Sequence, residues 1–114
     1  MSLAGLTVVI VLGLAGLGAV SGTAAHATVP ARPGMTVQDL SGLRIYNAQG
    51  CSACHSIGGV GGDAGPDLSR AGFRWDVAAI QTQIVTPKDP RMPAFDHLSQ
   101  QELEDLVHFL ADQK

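Results

Sequence analysis

The five residues Cys51-Ser52-Ala53-Cys54-His55 hold both cysteines of the chain and one of its four histidines. No other stretch narrows the possible fold as far. Thiols three positions apart share one face of a helical turn. As a disulfide they would close a loop too short to remove much unfolded-state entropy. The chain nevertheless needs reinforcement. It has 114 residues, opens on a long uncharged stretch, and leaves a globular part so small that one hydrophobic core supplies only about 3–5 kcal/mol. A large apolar group enclosed by the chain would reinforce it better than a disulfide.

Every charged residue lies at or after Arg32, with seven Lys or Arg against ten Asp or Glu and a net charge of -3. Without a Lys/Arg cluster the chain lacks the phosphate-neutralising footprint of nucleic-acid binding. The uncharged segment has its own logic. Leu3 to Val20 is an unbroken run of apolar or small residues; as a helix at ~1.5 Å per residue it spans ~27 Å, just short of a ~30 Å hydrocarbon layer. Ala25-His26-Ala27 fits a small-x-small cleavage site, and no Lys or Arg follows the run until Arg32. That flank suits a secretory signal better than a stop-transfer anchor, although the segment also lacks a basic start. Residues 1–27 are therefore expected to be a signal peptide or a membrane anchor through residues 3–20. Either exports the rest.

Residues 28–34, with two prolines and a glycine, read as an extended linker. A domain is expected over 35–114. Thr36-Val37-Gln38-Asp39 has capping-box spacing, and Val37, Leu40, Leu43 and Tyr46 follow at near-helical intervals until Gly50. That helix runs into Cys51. Gly58 to Gly65 has five glycines in eight residues, a composition expected to form a loop rather than helix or strand. Trp75 to Val85, with apolar residues at 77, 80 and 84 and Pro87 after it, is expected to be a second helix. Ser99 opens another capping box, and Leu103, Leu106, Val107 and Leu110 form an amphipathic stripe with His108 on its solvated flank. No window alternates with period two, so the expected class is all-α.

Three chemistries use a Cys-x-x-Cys pair. Structural zinc needs four ligands, and the chain has no third cysteine. A thioredoxin-like dithiol belongs beside a βαβ pattern, which is missing. Covalent haem remains: each thiol can form a thioether with one porphyrin vinyl group, and His55 is delivered under the iron. A second axial ligand is then required, with Met35, Met92, His97, His108 and His26 as candidates. Met92 is the best placed, because Arg91-Met92-Pro93 is stiffened by proline and lies off any helical stripe, where a core methionine would sit.

Cys51 to His55, then Gly65-Pro66-Asp67-Leu68, then Met92-Pro93-Ala94-Phe95 and a closing helix, resemble a class I monohaem cytochrome c of the kind attached to bacterial respiratory enzymes. The resemblance covers residues 35–114 and implies three to five helices packed around one covalently attached haem c, joined through Cys51 and Cys54. It implies a close crossing of first and last helices at Gly42 and Tyr46 against Leu106 and Phe109. It also implies that the Pro66 carbonyl accepts the His55 ring proton and that Leu68 packs on the porphyrin. Trp75 is implied either as a propionate donor or as packing, and Arg70 or Arg74 as a propionate partner. The lysine ring of mitochondrial cytochrome c is missing.

Iron held by imidazole on one side and thioether on the other has no open position for substrate, which is the arrangement of an electron carrier rather than an enzyme. The expected function is one-electron transfer in an exported chain between redox protein partners. A permanently membrane-anchored cytochrome c subunit of a respiratory or photosynthetic oxidoreductase is the alternative. A peroxidase or gas-binding haem sensor, requiring displacement of Met92, is the remaining one.

Overall fold

The computed structural model describes residues 26–114. The segment read as signal or anchor lies outside the described residues except for His26 and Ala27. Among the described residues no helix is long and apolar enough to cross a membrane. The elements run α1 (Val37–Ala48), a 3-10 turn (Cys51–Ala53), β1 (Ser56–Ile57), β2 (Val60–Gly61), α2 (Ala71–Arg74), α3 (Val77–Val85) and α4 (Gln100–Ala111).

Both capping boxes form. Thr36 accepts from the Asp39 backbone N–H while the Asp39 carboxylate accepts from that of Thr36, and Ser99 and Glu102 repeat the exchange at α4. Helix α3 begins two residues later than expected, because the Asp76 carboxylate accepts the Ala79 N–H and makes Asp76 its N-cap.

The core is the crossing of α1 on α4. A Cβ built on Gly42 would lie 2.1 Å from the Asp105 carbonyl oxygen and 2.5 Å from the Phe109 Cβ, so the two backbones touch where only glycine fits. Tyr46 and Phe109 then meet edge to face with ring centroids 5.8 Å apart. Leu43, Ile45, Leu106, Val107 and Leu110 are buried around them, joined by Ile80 and Ile84 of α3. Each such side chain contributes roughly 1.5–3 kcal/mol by leaving water.

Polar bonds across the crossing set its register. Buried Asp105 accepts from Ser41 Oγ at 2.8 Å and Gln38 Nε2 at 3.2 Å. His108, expected on a solvated flank, is half-buried and bonds through Nδ1 to Asp39 at 2.9 Å. Burial pushes the Asp39 carboxyl up, but hydrogen bonds from Thr36 and His108 outweigh it and leave the group below its ordinary value. The Asp105 carboxyl is also lowered, by hydrogen bonds from Ser41 and then Gln101.

Several expectations need correcting. Val37 and Leu40 are exposed; at 3.6 residues per turn they lie on the far side of α1 from Gly42, so the crossing selects the face of Asp39, Leu43 and Tyr46 instead. Val77 is likewise exposed, leaving Ile80 and Ile84 as the stripe of α3. The glycine-rich stretch is not all loop: β1 and β2 pair antiparallel, Ser56 with Gly61 and Ile57 with Val60. Gly58 and Gly59 make this possible, since φ of 59° and 78° at the two central positions is the two-residue hairpin turn that favours glycine.

Residues 28–34 are extended and tied to the domain. Val29 is buried in the core, and its N–H and carbonyl both bond the Asn47 side chain at 3.0 Å. Arg32 reaches Gln113 Oε1 at 2.7 Å.

Candidate functional site

Helix α1 is capped at Gln49, and Gly50 at φ 73° turns the chain into the 3-10 turn that carries the cysteines. The His55 N–H donates to the Cys51 carbonyl at 3.0 Å, and the Ser52 hydroxyl donates to the Ala27 carbonyl. The turn is therefore fastened from within and by Ala27, the last residue of the segment read as signal or anchor. Cys51 is partly buried and Cys54 is exposed. Burial pushes the Cys51 thiol up to about 11. That is the opposite of a catalytic dithiol, which needs a lowered thiol pKa to supply thiolate.

His55 Nδ1 lies 2.8 Å from the Pro66 carbonyl oxygen. A carbonyl only accepts, so Nδ1 carries the proton and the lone pair sits on Nε2. Gly65 forms the seat of the ring: a Cβ there would lie 2.5 Å from Cε1 and 2.8 Å from Nδ1. The backbone around this seat is closed by Gly65 N–H on the Cys54 carbonyl at 2.7 Å and Leu68 N–H on the Ser56 carbonyl at 2.8 Å. Leu68 packs partly buried against the core, whereas Trp75, just past α2, keeps 38 % of its surface exposed.

Met92 sits half-buried in the loop between α3 and α4. Asp89 shapes that loop: its carboxylate accepts from the Arg91 backbone N–H at 2.9 Å and from the Arg91 guanidinium at 2.6 Å, and Arg91 holds its carboxyl down to about 2. Two bonds fasten the far end. Phe95 N–H donates to the Ile84 carbonyl at 2.9 Å, and His97 Nε2 lies 3.0 Å from Gln49 Oε1, immediately before the cysteine turn. The Met92 sulfur accepts from Gln83 Nε2 at 3.7 Å.

Of the other ligand candidates, Met35 and His108 have partners of their own, as Met92 does. Met35 Sδ accepts the Arg32 N–H at 3.2 Å, and His108 belongs to the Asp39 pair. Sequence reasoning passed over Gln83 and the His97–Gln49 bond. Gln83 has a visible signal only as a polar residue beside the Ile80 and Ile84 stripe, and the second bond joins positions 48 apart.

Among the described residues, the His, Cys, Asp and Glu side chains close enough to share a metal are Asp39, His108 and Asp112, a group that includes neither thiol nor His55. Residues 37–110 match the family model described as cytochrome c oxidase, cbb3-type, subunit III. The chain belongs to this family of cytochrome c domains. Its match covers about two thirds of the chain, including the cysteine turn and the methionine loop.

Two curated proteins are similar. One is "Cytochrome c oxidase subunit 2" of Alkalihalophilus pseudofirmus, 27% identical over 85 residues, covering 64% of this chain and 25% of that protein. The other is "Lupanine 17-hydroxylase [cytochrome c]" of a Pseudomonas species, 34% identical over 73 residues, covering 61% of this chain and 10% of that protein. The chain spans a quarter or less of the length of these relatives. No solved structure matches it significantly.

As a class I monohaem cytochrome c, the domain takes haem c and transfers electrons. The residues present fit that group. The donor set combines paired thiols with a histidine whose Nδ1 is engaged by a carbonyl and whose Nε2 is not, seated where Gly65 leaves room. A fully buried Tyr46 hydroxyl has no hydrogen-bond partner. Burial, then the nearby Cys51 and Asp67, raises its pKa above the ordinary value, so it stays a donor in want of an acceptor.

Proposed function

We propose that this cytochrome c is a one-electron carrier exported to the bacterial periplasm, with haem joined through Cys51 and Cys54 and iron held by His55 and Met92. The observation that carries the reading is the His55 ring, fixed by the Pro66 carbonyl at 2.8 Å with Nε2 left to bind metal, one residue after the second thiol.

Each residue then has a task. Pro66 holds the proton at Nδ1 and so fixes both tautomer and ring plane, which raises the basicity of the ligand nitrogen. The loop bonds of Phe95 and His97 hold Met92 in place without requiring a helix. Leu68 and the core side chains keep water from the enclosed side. The haem, when bound, supplies the one-electron couple. Held by the His55 imidazole and the Met92 thioether, the iron would favour the ferrous state more than with two nitrogen ligands and would offer no site to oxygen or peroxide.

The domain boundaries follow: residues 1–27 are a signal or an anchor, 28–34 a strap, and 35–114 the cytochrome domain. The likeness to an oxidase subunit supports membrane oxidoreductase components as redox partners. The same likeness, with relatives several times longer than the matched region, favours a second reading in which the domain is a permanently anchored subunit. Mass spectrometry of the native protein separates the two: retained Met1 supports the subunit, and an N-terminus at Thr28 supports the carrier.

The ligand assignment is tested by Met92→Ala. It is expected to lower the reduction potential and let ferrous haem bind carbon monoxide. A variant that keeps the wild-type potential and excludes carbon monoxide rejects Met92. Carbon monoxide binding by the wild type would support a gas sensor instead.

A further inference from the structure

We infer that Gln83 is a positioning residue for the Met92 sulfur, holding it by an amide hydrogen bond and thereby raising the reduction potential; this rests on Met92 being an axial ligand. The Gln83 Nε2 lies 3.7 Å from Met92 Sδ, and both side chains are half-buried. A thioether sulfur has two lone pairs, so one can be given to a metal while the other accepts from an N–H. The donor is held firmly. Gln83 is on the last turn of α3, anchored through its neighbour Ile84, whose side chain is buried and whose carbonyl accepts the Phe95 N–H at 2.9 Å. The loop carrying Met92 is thus attached to one helical turn twice, by backbone at Phe95 and by side chain at Gln83.

The electronic consequence has a definite sign. An N–H pointed at sulfur draws electron density from it and places the positive end of the amide dipole nearby. Both effects disfavour the ferric state, and burial strengthens them by lowering the local dielectric. The geometric consequence is separate: a sulfur held from α3 is harder for a competing ligand to displace.

The test uses the haem-loaded protein with Gln83→Leu and Gln83→Met, two shapes without a donor. Both variants are expected to lower the equilibrium constant for reduction several-fold, where tenfold corresponds to about 59 mV for a one-electron couple. Added imidazole is expected to displace the sulfur at several-fold lower concentration. The long-wavelength sulfur-to-iron absorption band is expected to shift while thermal unfolding changes little. If the wild type has that band and either folded variant keeps both potential and imidazole affinity within twofold, the role of Gln83 is overturned. If the wild type has no such band, Met92 is not the ligand, and the inference falls with that reading.

Discussion

The α1–α4 crossing and the loop from Lys88 to Leu98 are held by different means. At the crossing, backbone meets backbone at Gly42, a Tyr46–Phe109 ring pair fills the adjoining space, and Asp39 and Asp105 add bonds between the helices. The loop has no comparable packing. It is held by individual bonds at Asp89, Gln83, Ile84 and Gln49, with Phe95 and Leu98 only partly buried against the core. Close packing leaves no room for substitution, whereas a loop on separate bonds can lose one and keep the rest. Stability is concentrated at the crossing, and adjustment of Met92 is left to the loop.

The largest expected effect falls at the crossing. Gly42→Val places side-chain atoms in the Asp105 backbone and should cost about 3 kcal/mol or more, beyond ordinary overpacking because backbone cannot give way like a side chain. For a domain this small, thermal denaturation should then fall by roughly 4–8 °C per kcal/mol. An unchanged midpoint would place the helices farther apart than described.

Gly65→Ala sharpens the contrast from the site side. Its Cβ would collide with the His55 ring, so the imidazole must move off Pro66 at a cost of about 1–3 kcal/mol. Proton NMR of the His55 ring should show the Nδ1–H signal shifted or lost. A preserved signal would mean that the ring has room the structure does not give it.

Acid titration should damage the crossing and, through Asp89, the loop as well. Asp39 and Asp105 have carboxyls held below the ordinary value of 3.8 in the folded state. The unfolded chain therefore binds more protons, and stability is full above the unfolded value and lost as pH falls below 3.8 through the folded ones. Urea midpoints should be level between neutrality and pH 4.5 and decline below pH 4, by less in Asp105→Asn. A decline already present between pH 7 and 5 would implicate other groups.

The smallest effect is expected from His97→Ala. Losing the bond to Gln49 should cost about 0.5–1.5 kcal/mol, mostly local. Hydrogen exchange of amides in residues 92–97 should speed up while those of α1 and α4 do not. Uniform acceleration would join the loop to the crossing as one cooperative unit.

Features that depend on a few neighbouring residues are legible in the sequence alone. The capping boxes at Thr36 and Ser99 formed where their spacing placed them, because each closes within one turn. The cysteine turn and its following histidine are local in the same sense. The Gly42 crossing was legible only through the family resemblance, since a glycine in a helix has no sign of what lies against it. Glycine density between Gly58 and Gly65 was misread as loop alone, because a count of glycines does not distinguish entropy lost from a hairpin turn gained.

By itself the amino-acid order determined a small helical domain, two capped helices, paired thiols backed by a histidine, and one methionine in a stiff loop. These follow from bond geometry and spacing within a dozen residues. Tertiary structure alone decided which face of α1 is buried, that Val29 and Arg32 strap onto the domain, that His108 serves Asp39, and that Gln83 reaches the Met92 sulfur. Such choices join distant segments or pick among equivalent faces, and only the closest packing of the whole chain selects one of them.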